Sequence, residues 1–507
     1  MSFSLFVGRA GSVAAPALSS LRRVGCKMPL KAKIINRRTY VVAEMPKKMF
    51  SHMILEDIKE LEGDDPEDVL FSNLYGLRTV ELNRPSKLNS LNGSMVRKII
   101  PRLVEWEKSD MANVVVVKGA GDALCAGGDV ATLAEQNKLG PEGRKASIDF
   151  FGLEYKLDHY IATYNKPFIS FMDGITMGGG VGLSIHAPFR IATERTVFAM
   201  PETDIGFFPD VGASFFLPRM PGAVGTYLAL TGSRLKGANV FYSGVATHYL
   251  HSTSLPTLEA RLAELRFRDS DTMDKRLDII EMTIEEFATG LPYQEPILLG
   301  GKLRKAIDRC FSRDTVAGVI AALEAEEGPT KAWADETLET LHKRSPTSLH
   351  VALKQMRVSR DWSLVDTFQK EYQIAAKFMS HHDFIEGVTA RVIAKKPRPE
   401  PRWEPATLQT AEADNRIDAF FQPAEDLPRL RLLVERNYHE YPYRSFGVPD
   451  EKDVELAVLG GTETRQQIVE DFVRRKRGRQ GIKTIVEEIL ARKTIVNEAG
   501  KAEWIED

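Results

Sequence analysis

The chain has 507 residues, of which 43% are hydrophobic and 27% charged, a balance that fits a folded chain with a sizeable core and excludes disorder throughout. No run of 18 apolar residues occurs, which excludes a spanning helix, and the formal charge of -2 carries no global nucleic-acid signature. Cys26, Cys125 and Cys310 share no metal-ligand or redox spacing and cannot build a disulfide framework, so a reducing compartment is expected.

The chain opens on Arg9, Arg22, Arg23, Lys27, Lys31, Lys33, Arg37 and Arg38, and its first acid is Glu44. This basic, Ser- and Ala-rich stretch lacks the long apolar block of a secretory signal and has the composition of a mitochondrial transit peptide. After an acidic link from Glu56 to Asp68, the alternating runs Val69 to Leu74 and Leu77 to Leu82 predict a hairpin around Tyr75-Gly76. A helical pattern from Met95 to Lys108 leads to the apolar strand Val114 to Val117, a Gly-rich turn and a further helix through Glu135. The unit returns with Phe168 to Met172, the glycines Gly178, Gly179 and Gly180, and a short apolar helix to about Ala187. Short strands from Phe189 to Ala192 and Thr196 to Met200 follow, and the alternation predicts an α/β core.

Beyond about Leu255 helical periodicity dominates, with segments expected at Leu258 to Leu265, Thr315 to Glu324, Ala332 to His342, Leu349 to Val358 and Thr367 to Met379. The Pro-rich run Lys395 to Pro405 reads as an extended connector. Near the end, Ile468, Val469, Phe472 and Val473 form one helical stripe, and Ile482, Ile485, Val486, Ile489 and Leu490 another.

Three segments carry chemistry. Leu124-Cys125-Ala126-Gly127-Gly128-Asp129 follows a strand and opens a helix, where backbone N–H groups can hold a developing negative charge. Gly174-Ile175-Thr176-Met177-Gly178-Gly179-Gly180-Val181-Gly182 repeats that arrangement, and two such donors suit an oxyanion hole. The loop from Met200 through Glu202, Asp204 and Asp210 to Gly212 sets acids among apolar residues, where desolvation raises a carboxylate toward general-base range. Taken singly, each also fits a turn or a cap: Asp129 reads as an N-cap, Cys125 as a small buried residue, and His381-His382-Asp383 as a helix start. No HExxH, GxSxG or GxxxxGK[ST] pattern is present, and neither a metal nor a nucleotide cofactor is implied.

Together with Asn83-Arg84-Pro85, Leu88-Asn89-Ser90-Leu91, His186, Leu230-Thr231-Gly232, Ser345-Pro346-Thr347-Ser348-Leu349 and Asp383-Phe384, these segments resemble the crotonase (enoyl-CoA hydratase/isomerase) superfamily, and within it the 3-hydroxyisobutyryl-CoA hydrolase branch, over about residues 68 to 425. The resemblance implies an α/β fold with a crotonase-like core of repeated strand-strand-helix turns. It implies that the N–H groups of Gly128 and Gly179 bind the thioester oxygen and that Glu202 is nucleophile or base on water. Asp210 would assist, and Glu154 would help to bind the acyl group. The substrate would be an acyl-CoA, with no separate cofactor. Hydratases of the superfamily carry a second glutamate where this chain has Gly182, which argues against water addition. Ser86 and Lys87 depart from the usual order before Leu88, and Lys87 reads equally as a CoA contact or a solvated lysine.

The expected organisation is then 1–45 as transit peptide, 46–255 as crotonase-like core, 256–435 as the helical part of the hydrolase unit and 436–507 as a helical extension. The extension carries Arg474-Arg475-Lys476-Arg477-Gly478-Arg479, which reads as a solvated helix face, a segment docked on its own core or an RNA-phosphate patch. Fungal relatives of the hydrolase also occur in the mitochondrial small ribosomal subunit. The main expectation is a mitochondrial matrix 3-hydroxyisobutyryl-CoA hydrolase of valine catabolism, a homo-oligomer being compatible with it. The alternative is a structural component of the mitochondrial small ribosomal subunit, with or without hydrolysis, contacting protein and rRNA through the extension.

Overall fold

In chain order the elements that frame the site are β1 (Val69–Leu74), β2 (Leu77–Leu82), a helix Gly93–Lys108, β3 (Val114–Gly119), β4 (Ala123–Cys125), and helices Val130–Lys138 and Pro141–Ala162. Next come β5 (Phe168–Met172), β6 (Ile175–Met177), a short helix Gly179–Ile185, β7 (Phe189–Ala192), β8 (Val197–Ala199), β9 (Leu235–Lys236) and β10 (His248–Tyr249). This computed structural model describes residues 58–505 except Gln294, 413–415, Glu425 and Thr462. The basic leader read as a transit peptide lies outside the described residues.

The hairpin forms as expected, with Val69 opposite Leu82 and Leu74 opposite Leu77, and Tyr75 takes a left-handed φ of 49° in the two-residue turn. From β2 onward the larger sheet is parallel, in the order β1-β2-β3-β5-β7-β10. Both faces of a parallel sheet are covered, so its central strands read as unbroken apolar runs; Val114–Val117 and Phe168–Met172 are buried throughout. A smaller sheet, β4-β6-β8-β9, stands beside it, parallel except for β9.

β3, β5 and β7 of the large sheet each feed a three-residue strand of the small one, β4, β6 and β8, and after β4 and β6 the chain turns into a helix. The segments read from sequence as Gly-rich turns contain β4 and β6, which are too short to display a period of two. The strand-strand-helix turns implied by the resemblance are present, and they place Gly128 and Gly179 at equivalent strand-to-helix junctions.

The helical half agrees closely with its periodicity. Ser345 caps Pro346–Val358, Ser363 and Asp366 form a capping box on Leu364–Phe378, and Thr315 caps Val316–Glu324. Helices Met273–Glu285 and Gly301–Phe311 were not among the expected segments, and the longest one, Pro141–Ala162, also escaped the periodicity reading. From Phe151 onward nearly all its residues are buried, so no polar face remains to mark it.

The terminal stripes form helices Arg465–Arg475 and Ile482–Lys493, preceded by Glu451–Leu459 and followed by a small hairpin, β11 (Thr494–Val496) and β12 (Ala502–Trp504). Ile468, Phe472, Ile482, Val486 and Leu490 belong to the same apolar cluster as the crotonase-like core. The extension is thus docked on its own chain.

Candidate active site

The first glycine loop leaves β4 at Cys125. Leu91 donates to the Gly127 carbonyl at 2.8 Å and accepts from the Asp129 amide at 2.8 Å, so one residue pins the backbone on both sides of Gly128. Leu91 is itself held by the Asn83 to Leu91 segment. The buried Asn89 side chain donates to the carbonyls of Ala120 (2.9 Å) and Ala123 (2.7 Å) and accepts from the Arg84 amide (2.8 Å). Arg84 pairs with Asp129 at 3.0 Å, and Asp129 is the helix cap anticipated from sequence. The Asn-Arg-Pro segment is therefore scaffolding for the loop.

The second loop requires its glycines. A side chain at Gly180 would run into the Cys125 carbonyl, one at Gly179 into the Glu154 carboxylate, and one at Gly178 would lie 3.0 Å from Glu202 Oε1. The Cβ position of Gly179 is also 3.4 Å from the Gly128 nitrogen, so the two loops lie against each other and both acids reach them. Gly179 opens its helix, where an amide has no partner within the helix itself. The arrangement brings Gly128, Gly179, Glu154 and Glu202 together as the resemblance implied.

Asp210 joins them through Tyr155, whose hydroxyl donates to Asp210 Oδ2 at 2.6 Å from the same helix that carries Glu154. The helical half fastens the loop. Glu371 accepts from the amides of Gly212 (2.8 Å) and Ser214 (2.9 Å), and Gln355 donates to the Pro209 carbonyl at 2.6 Å. Val211 and Gly212 have φ of 54° and 90°, a left-handed pair that these bonds hold in place.

Two acids of the site escaped sequence reasoning, Asp158 and Glu371. Asp158 lies one helical turn beyond Glu154, and a spacing of four on one helix is the signal that could have found it. Its Oδ2 stands 2.7 Å from where a Gly182 Cβ would project, and Val211 stands 2.8 Å from the same point. Position 182 thus has no room for the glutamate of the hydratases. Glu371 is distant in sequence and leaves no such trace.

Burial dominates the electrostatics. It pushes Glu202 and Glu154 well above the ordinary carboxylate range, with the Asp210 charge adding to both, and Asp158 likewise, with Glu154 adding most after burial. Burial raises Asp210 to about 7 against the lowering effect of the Tyr155 hydrogen bond, and raises Glu371 to about 8 with help from Asp210. One oxygen each of Glu154 and Glu202, and both of Asp158, are buried without a hydrogen-bond partner. Such a site can present neutral or ionised carboxyls to a ligand beside two backbone donors, which is the equipment of acyl transfer. Among the described residues no three His, Cys, Asp or Glu side chains converge to hold a metal ion. Cys125 is fully buried, and its thiol is pushed up to about 12, as suits a packing residue.

The basic cluster of the extension divides. Arg479 is 7% exposed, pairs with Glu281 and, at 2.7 Å, with Glu285, and donates to the Phe446 carbonyl at 2.7 Å. Lys476 donates to the carbonyls of Ser445 (2.5 Å) and Gly447 (2.7 Å). Arg474 and Arg475 pair with Asp471 yet stay exposed, as does Arg477. The six-residue run is thus no continuous phosphate patch: Arg479 docks the extension on the helical half, and Lys476 ties two stretches of the extension to each other.

The enoyl-CoA hydratase/isomerase family model matches residues 77–421. The small ribosomal subunit protein mS47 of Neurospora crassa is 56% identical, over 96% of this chain and 96% of its own. The mitochondrial 3-hydroxyisobutyryl-CoA hydrolase of Gallus gallus is 40% identical, over 73% of this chain and 93% of its own. Among solved structures, a carnitinyl-CoA dehydratase from Mycobacterium thermoresistibile superposes with a TM-score of 0.62 at 36% identity, covering 72% of this chain and 98% of that one. The expectation of a hydrolase of valine catabolism is corrected by these matches. The hydrolase relative is nearly used up by three quarters of this chain, whereas the higher identity to the ribosomal protein runs through almost all of it, extension included. Matched over most of its length and built from the same strand-strand-helix turns, the chain belongs to the enoyl-CoA hydratase/isomerase family.

Proposed function

We propose that this protein is a component of the mitochondrial small ribosomal subunit, built on an enoyl-CoA hydratase/isomerase core. The observation that carries the reading is the end-to-end similarity to a small ribosomal subunit protein, at higher identity than to the hydrolase, which lacks a counterpart for a quarter of the chain. Its relatives also place the protein in mitochondria. Residues 436–507 serve as the assembly segment: a folded unit fastened to the core by Arg479 and held together internally by Lys476, leaving Arg474, Arg475 and Arg477 at the surface for a partner.

Gradient sedimentation of mitochondrial extracts at low and high salt tests this. The protein should travel with small subunits. A variant with Arg474, Arg475 and Arg477 reversed to Glu should be released at lower salt if those side chains meet phosphates, because counterion release makes such contacts salt-dependent. Wild-type protein found at the top of the gradient under every condition would reject the ribosomal role.

A second reading is carried by the pocket, whose unpartnered buried acids cost stability and serve no packing purpose. We infer that it retains acyl-CoA thioester hydrolysis. The Gly128 and Gly179 amides would stabilise the oxyanion, and Glu202 would attack the carbonyl or activate water. Asp210, oriented by Tyr155, would assist, and Glu154 would contact the acyl group. Release of CoA from short acyl-CoA thioesters, assayed on ribosome-bound and free fractions, checks it; no release by either fraction would reject it.

A further inference from the structure

Gly182 and Asp158 together suggest what became of the missing acid. The helix Pro141–Ala162 runs behind the second glycine loop and brings Asp158 Oδ2 to 2.7 Å from the direction in which residue 182 would project a side chain. Asp158 is 0% exposed and Glu154, four residues earlier on the same helical face, is 1% exposed. Neither Asp158 oxygen has a hydrogen-bond partner, nor has Glu154 Oε1, which lies where a Gly179 side chain would stand. The titratable groups around Asp158 are all acidic or neutral: Glu154 on its own helix, Asp210 in the loop that follows β8, Glu371 on Leu364–Phe378, and Cys125 at the end of β4.

We propose that Asp158 is a positioning residue that pairs with Glu154 as a one-proton unit, the pair keeping a proton beside the Gly179 amide where the acyl part of a bound thioester would lie. Two buried carboxylates one helical turn apart, with no cationic side chain beside them among the described residues, resist ionising together, so the second proton is retained well above the ordinary carboxylate range. Glu154 then meets its ligand as a hydrogen-bond donor. The ligand class this favours is an acyl thioester bearing an acceptor oxygen on the acyl chain, and a cationic acyl group is disfavoured because the pair withholds the second negative charge. The inference rests on the retained-pocket reading only for its ligand, and the pairing itself has a separate readout.

The experiment uses the full-length protein and a thioether analogue of a hydroxyacyl-CoA, which binds without reacting. Its affinity is measured by calorimetry from pH 6 to pH 9 for wild type, Asp158→Asn and Glu154→Gln. Wild-type affinity should fall toward alkaline pH as the retained proton is lost. Asp158→Asn keeps the shape but removes the like charge, so Glu154 ionises more readily and the fall should begin at lower pH, by about one unit, with affinity at pH 6 within about twofold of wild type. Glu154→Gln, a permanent neutral donor, should flatten the profile. An unshifted profile in Asp158→Asn would overturn the proposal, since a merely structural aspartate would change stability alone.

If no analogue binds at any pH, the retained pocket fails and the pair is judged by unfolding. Acids whose folded-state affinity for protons is raised add stability that is present below the unfolded range and lost as pH rises through the folded one. Wild type should therefore lose stability between pH 5 and pH 8, and Asp158→Asn should lose less over the same interval. Equal losses would reject the pairing.

Discussion

Around Gly128 and Gly179 five acids lie buried without an ion-pair partner among the described residues, whereas at the foot of the extension the buried Arg479 sits between Glu281 and Glu285. Both regions take charge out of water, which costs free energy unless a partner compensates. In the extension the partners are present, and the charges serve as a clasp between a terminal segment and its core. In the pocket no cation stands beside the acids among the described residues, burial raises their affinity for protons, and oxygens of Glu154, Asp158 and Glu202 are left without a hydrogen-bond partner. The difference separates a clasp, whose charges are compensated by the protein itself, from a pocket whose charges are not.

The comparison breaks most readily at Arg479. Arg479→Ala leaves Glu281 and Glu285 without their buried cation, and should lower unfolding stability by about 3–5 kcal/mol, measured by urea titration. A change no larger than that of a surface substitution would mean that the clasp is ornamental and the extension is held by its apolar stripe alone.

In the pocket, Glu202→Gln should keep the fold and reduce thioester hydrolysis on the order of 100-fold or more, because the amide can act neither as base nor as nucleophile. Single-turnover assays on ribosome-bound protein provide the measurement, and unchanged turnover would remove Glu202 from the reaction.

Tyr155→Phe sharpens the contrast between an acid with a partner and one without. Losing the Tyr155 hydroxyl, which donates to its carboxyl at 2.6 Å, would raise Asp210 further above its present value of about 7. Because that value already exceeds the unfolded one, the stability linked to Asp210 is present at acid pH and lost as pH rises through 7. In the variant the loss should extend to higher pH, on top of about 1 kcal/mol for the missing bond, as read by thermal unfolding between pH 5 and pH 9.

Smallest of all should be the stability effect of Arg477→Ala, an exposed residue of the basic run. Its unfolding midpoint should match wild type, while its small-subunit association should weaken and its dependence on salt should become shallower, because one fewer counterion is released on binding. Loss of stability in this variant would show that Arg477 also belongs to the clasp.

Much of this was legible along the chain. The hairpin, the central strands, several helices of the second half and the glycine loops each carry a pattern readable within a few residues, as the apolar run Val114 to Val117 does. The helix Pro141–Ala162 was not legible because it is buried on too many sides to retain a stripe, and with it went Asp158. The basic run left three readings open because composition counts cations without showing which of them meet an acid.

By itself the sequence determined the strand-to-helix junctions that aim backbone amides at one point, because glycine at Gly127, Gly178 and Gly212 is demanded locally by left-handed φ values of 106°, 45° and 90°. It also determined the family, through motifs whose residues, such as Asn89, hold those junctions. Only the tertiary structure decided which charges are compensated. Asp158 reaches the space over Gly182, Glu371 reaches the amides of Gly212 and Ser214, and Arg479 reaches Glu281 and Glu285 across separations that no local pattern spans. Electrostatic free energy depends on distance and burial in space, and these are set when the chain closes on itself.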